Sequence, residues 1–132
     1  MLQRPTAVGL LLCEQMIVEE GTKSVTLVNS FSYRLASSFP TEPIQFTVVA
    51  FITDGLGDIR LEVVINRLDN LGEIYRRGKS FQVSDPLSVF RFETRVRSCS
   101  FPIPGRYEVN LFAGDEVIAR RTILIRPLEN NS

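Results

Sequence analysis

The feature that most constrains this chain is a two-residue apolar alternation, broken by turn residues at short, even intervals. Ile44, Phe46, Val48, Ala50 and Ile52 alternate with Gln45, Thr47, Val49, Phe51 and Thr53. Ile59, Leu61, Val63 and Ile65 run in phase, with Arg60, Glu62 and Asn66 facing the other way. Side chains of an extended strand point alternately to opposite faces, so this pattern offers one face to a core and one to water. No window carries a 3.6-residue apolar period with capping signals. Many short strands divided by turns predict an all-β sandwich or barrel.

The runs parse into about eight strands. Residues 7–18 are nearly continuously apolar and read as a first strand, covered on both faces. The segment Glu19-Glu20-Gly21-Thr22-Lys23 turns the chain into a second strand over 24–29, forming a hairpin. Residues 31–43 are irregular and contain Pro40 and Pro43, which fits a crossover or edge segment. In it Phe31, Tyr33 and Phe39 are expected to tack onto the core.

Strands then follow over 44–53, 58–68, 73–83, 88–98, 106–113 and 116–126. The Gly55-Leu56-Gly57 segment reads as a hairpin turn. The strand at 73–83 is interrupted by Arg76, Arg77, Gly78 and Lys79, which predicts an edge strand or a bulge at Gly78. In the penultimate strand Tyr107, Val109 and Leu111 point inward. Residues 127–132 read as a flexible tail. The fold expected is one antiparallel two-layer β-sandwich domain over 1–132, core 7–126, with Greek-key connections.

Several chemistries find no support. The chain has 132 residues, with fifteen Lys plus Arg against fifteen Asp plus Glu. Nucleic-acid binders draw affinity from a basic excess, and none exists here. There is no histidine, which removes the commonest general base and metal ligand. Cys13 and Cys99 read as buried, reduced thiols of a cytoplasmic protein. A disulfide would need their two strands side by side. The apolar run before Cys13 is short and lacks a small-residue cleavage site, so it reads as strand rather than leader. No stretch reaches the ~20 apolar residues a spanning helix needs. The expectation is a non-enzymatic domain with no cofactor, metal, nucleic-acid or membrane partner.

The most suggestive side chains are arginines. Arg91, Arg95 and Arg97 project from one face of one strand. Arg76 and Arg77, with Lys79, lie on the preceding strand, expected as its hairpin neighbour. Together these arginines are the candidate face for a protein partner or for self-association, since the planar guanidinium pairs carboxylates bidentately. The alternative is a small-ligand or carbohydrate module, for which Tyr33 and Tyr75 are the candidate platforms.

Three segments carry a resemblance. They are Leu12-Cys13-Glu14 leading through Glu20-Gly21 to Thr26-Leu27-Val28-Asn29; Ser38-Phe39-Pro40; and Phe101-Pro102-Ile103-Pro104-Gly105-Arg106-Tyr107 with the hairpin after it. From about Val8 to Ile125 the chain resembles a family of short bacterial single-domain proteins of unknown function. The last segment also resembles the closing hairpin of immunoglobulin-like domains. What these resemblances imply is an immunoglobulin-like β-sandwich and no particular activity.

Overall fold

The computed structural model describes residues 4–128. Nine strands occur among them, with no helix: β1 (Thr6–Val18), β2 (Val25–Ser30), β3 (Tyr33–Ala36), β4 (Ile44–Thr53), β5 (Gly57–Arg67), β6 (Glu73–Val83), β7 (Phe90–Cys99), β8 (Gly105–Ala113) and β9 (Glu116–Pro127). They form two sheets. Sheet 1 runs β2-β1-β4-β7, and sheet 2 runs β3-β9-β8-β5-β6. The result is a two-layer all-β sandwich, as the alternation requires.

The facing rows follow from register, because directly opposed residues share a face. In sheet 1, Leu12 lies opposite Val48, which lies opposite Thr94. In sheet 2, Val63 lies opposite Leu111, and Ile65 opposite Val109. Leu12, Phe46, Val48, Leu61, Phe92 and Tyr107 all belong to the single buried cluster between the sheets.

The strand beyond the expected eight is β3. It pairs with β9 in parallel, whereas the other pairings are antiparallel. The 31–43 segment is thus a crossover that deposits one short strand on sheet 2 on its way back to sheet 1. Thr41 anchors its far end. Phe101 N–H donates to the Thr41 hydroxyl at 2.9 Å, and Thr41 N–H donates to the Phe101 carbonyl at 3.0 Å. Phe31 and Phe39 pack against the core, but Tyr33 is 59% exposed and does not. Its register partner Leu124 places it on the outer side of sheet 2.

Other expectations change. β4 and β5 lie in different sheets, so the turn between them is a corner rather than a hairpin. β6 is an edge strand as expected, yet its register passes Gly78 unbroken, with Glu62 opposite it. Gly78 supplies space instead: a Cβ there would stand 2.6 Å from an Arg60 nitrogen and 2.7 Å from Glu62 Cγ. The bulge in the long first strand falls between Ala7 and Leu10, where Gly9 takes φ +94° at no steric cost. Pro127 closes β9 opposite Ala36 rather than opening a tail, and 129–132 lie outside the described residues.

Candidate functional site

The two outer faces of the sandwich differ in kind. On sheet 2, Arg76 donates to Glu62 at 2.9 Å and to Glu73 at 2.9 Å, Arg60 stands 3.5 Å from Glu62, and Arg120 stands 3.8 Å from Glu108. The two carboxylates beside Arg76 hold its charge firmly in place. The centre of this face satisfies its own charges, whereas Arg106 and Arg126 at its margins form no ion pair among the described residues.

The outer face of sheet 1 is apolar at its centre. Every residue from Phe46 to Ala50 is buried, so β4 is covered on both sides. The outward residues of β4 are Thr47, Val49 and Phe51, with Leu11 opposite Val49 and Cys13 opposite Thr47 on β1. Val49 and Cys13 are fully buried, although neither belongs to the cluster between the sheets.

What covers them comes from β7. Arg91, Glu93 and Arg95 lie opposite Phe51, Val49 and Thr47. Arg95 reaches across β4, donating to the Thr47 hydroxyl at 3.0 Å and to the Glu14 backbone carbonyl on β1. These bonds stretch its stem over the Thr47–Cys13 end of the strip, as long cationic side chains do on apolar surface. Arg91 stands 3.7 Å from Glu93, and its buried Nε finds no acceptor among the described residues. Arg97 is exposed and forms no ion pair among the described residues. An open depression of about 860 Å³ borders the strip, with Gln15, Thr47, Glu93 and Arg95 in its lining.

Arg91, Arg95 and Arg97 therefore share a face, as their spacing predicted. Arg76 and Arg77 do not join it. β6 belongs to sheet 2, so it is not the hairpin neighbour of β7. The two edges meet only across the sandwich, through Phe81 against Phe90 (5.1 Å) and Phe92 (5.8 Å). Arg76 lies on the outer face of sheet 2, whereas Arg77, opposite Val63, takes the phase turned toward sheet 1. Tyr33 and Tyr75 form no shared platform either. They sit on opposite edge strands of sheet 2, and Tyr75 packs against the core with its hydroxyl buried. The sequence did carry a signal for the missed residues: Leu11, Cys13, Val49 and Phe51 make the phase opposite to the core apolar as well.

Neither thiol is set up as a nucleophile. Burial pushes the Cys13 thiol up, only partly opposed by the Arg95 charge. Burial pushes Cys99 up to about 12. A thiolate is the reactive form, so both stay protonated and inert near neutral pH. They are unpaired. β4 runs between their strands, which puts them two strand spacings apart, or ~9.6 Å, beyond the reach of a disulfide. Among the described residues no three His, Cys, Asp or Glu side chains cluster to hold a metal.

These features define a class. The order β1-β4-β7 against β9-β8-β5-β6 is the A-B-E against G-F-C-C′ order of immunoglobulin domains. Tyr107, at the start of the F-equivalent β8, donates to the Ile103 carbonyl at 2.6 Å and accepts from Ile103 N–H at 3.2 Å. That is the tyrosine corner of such domains, here without their Trp or inter-sheet disulfide. A family of unknown function, DUF6941, matches residues 9–126, and the chain belongs to it.

No curated protein sequence matches the chain. Among solved structures it is similar to the C-terminal domain of Wzt, at 12% identity over 97% of this chain and 79% of that one, with a TM-score of 0.49. It is also similar to the Pseudomonas fluorescens alkylpurine DNA glycosylase AlkC, solved with DNA containing an abasic-site analogue. There the identity is 12% and the TM-score 0.47, over 72% of this chain but only 27% of that one. An immunoglobulin-like protein of Pseudomonas aeruginosa overlaps 93% of this chain and 97% of its own, at 11% identity and a TM-score of 0.39. These likenesses carry no functional argument.

Proposed function

We propose that the domain is a non-catalytic protein-interaction module that docks through the outer face of sheet 1. The observation that carries this reading is the apolar strip of Leu11, Cys13, Val49 and Phe51, roofed by arginines rather than by a second layer of protein. Interface centres favour apolar side chains joined by arginine, and a buried guanidinium donor without an acceptor is a contact waiting for a carboxylate or carbonyl. The partner's chemistry follows: an apolar surface edged with carboxylates that meet Arg91 and Arg97. Sheet 2 has less of this character, because the outer charges of its centre, Arg60, Glu62, Arg76, Glu108 and Arg120, already pair among themselves. Two unpaired buried thiols fit a reducing compartment such as the cytoplasm.

The test is capture from the native host with the wild-type protein and with the Arg91→Glu/Arg95→Glu/Arg97→Glu variant. The variant is expected to lose the captured protein while keeping its β circular dichroism spectrum. Undiminished capture by the folded variant overturns the reading.

A further inference from the structure

A sheet edge presents unpaired N–H and C=O groups that template another strand, and proteins guard such edges with charge, proline or short length. Four strands end the two sheets here: β2 and β7 in sheet 1, β3 and β6 in sheet 2. β7 carries Arg91, Glu93, Arg95 and Arg97. β6 carries Arg76, Arg77 and Lys79, the last two opposite Val63 and Leu61 and so on the inward phase. β3 has only four residues, one of them Arg34. β2, Val-Thr-Leu-Val-Asn-Ser, has neither charge nor proline.

We infer that β2 is a self-association edge, at which two copies of this chain pair antiparallel and join their four-stranded sheets into one. The inference uses a different surface from the arginine-roofed face and stands apart from the reading above.

The ladder tells which groups are free. Glu19 N–H donates to the Ser24 carbonyl at 2.8 Å, and β1 and β2 keep one register from Gln15–Val28 to Val18–Val25. Antiparallel hydrogen bonding alternates along a strand, so Thr26 and Val28 bond to β1 and the N–H and C=O groups of Val25 and Leu27 turn away from it. Asn29, at φ 52°, ends the regular stretch.

A two-fold pairing that sets Val25 against Leu27 of the second copy lets each pair exchange both backbone hydrogen bonds. Thr26 then meets its own counterpart, and Lys23 comes opposite Asn29, so no like charges face each other. A partner strand carrying charge would gain nothing here that a second copy lacks. Self-pairing is the occupant that the uncharged, self-complementary edge favours.

Light scattering coupled to size exclusion tests it. The wild-type mass is expected to rise from 14.9 kDa toward twice that value as concentration approaches ~100 μM, since small interfaces bind at micromolar strength or weaker. Leu27→Pro removes an outward N–H without touching the β1 ladder, and Thr26→Lys adds a guard charge. Both variants are expected to stay at 14.9 kDa at that concentration with unchanged circular dichroism. Arg91→Glu, on the other surface, is expected to dimerise as wild type does. A wild-type chain that stays monomeric overturns the inference, as does a folded Thr26→Lys chain that still dimerises. If Leu27→Pro fails to fold, Thr26→Lys alone decides.

Discussion

Replacing Arg95 with Ala is expected to expose Cys13 to solvent. Cys13 is fully buried on the outer side of sheet 1, opposite Thr47, whose hydroxyl binds Arg95. Nothing but side chains of that face lies above it, so Cys13 becomes accessible when the Arg95 roof lifts. Lifting it breaks the bonds to Thr47 and to the Glu14 carbonyl. Charge-assisted bonds contribute ~1.5–3 kcal/mol each when sheltered, and less at a half-wet site, so lifting costs ~2 kcal/mol in all. At ~1.4 kcal/mol per tenfold, that closure slows attack on the thiol ~30-fold. Deleting the roof removes the protection. Native-state labelling with a thiol-specific disulfide reagent at pH 8, sites assigned by mass spectrometry, should therefore run ~30-fold faster at Cys13 in Arg95→Ala. Cys99, inside the sandwich and held up to about 12, should label no faster. Cys13 rates within ~2-fold of each other would refute the roof, and with it the physical basis for the docking face.

Three further outcomes follow from the same geometry. Thr41→Val should destabilise by ~1–3 kcal/mol in urea unfolding at unchanged m, because it strands the buried Phe101 N–H. Thr41→Ser, which keeps the hydroxyl and loses one methyl, should cost only ~0.8 kcal/mol, and the reverse ranking would show that the hydroxyl does not anchor the crossover. Tyr107→Phe should cost ~1–2 kcal/mol, read as a lower melting temperature, because it removes both bonds of the Tyr107 hydroxyl to Ile103. No loss of stability would show that this corner is not closed in solution. Cys99 links stability to alkaline pH: its folded pKa lies above the ordinary 9.0, so its contribution is complete below pH 9 and is lost as pH rises toward about 12. Over that window Cys99→Ala should flatten the fall in stability by up to ~1.4 kcal/mol per pH unit, and an unchanged slope would show that the thiol does not titrate there.

How far the fold could be read from sequence depended on which contacts were local. β4 and β6 were legible to the residue, because alternation and flanking turns are written in adjacent positions. β3 was not. Four residues carry too little alternation, and its parallel partner β9 lies some ninety positions away. The placement of β6 and β7 failed for a different reason. A turn such as Ser84-Asp85-Pro86 shows that the chain reverses, but not whether the next strand pairs alongside or crosses to the opposing sheet. That single ambiguity merged Arg76 and Arg77 with Arg91, Arg95 and Arg97, although the two groups belong to different sheets. The true composition of the face was partly visible. Val49 and Phe51 are apolar in the phase that an exposed sheet face should fill with polar residues.

The outer face of sheet 1, and not that of sheet 2, is the surface proposed to meet a partner. Photocrosslinking in the native host tests it directly, with a benzophenone side chain placed at Phe51 in one variant and at Phe112, on the outer face of sheet 2, in another. A discrete adduct is expected from position 51 and none from position 112. The same adduct from both positions, or from position 112 alone, would contradict it.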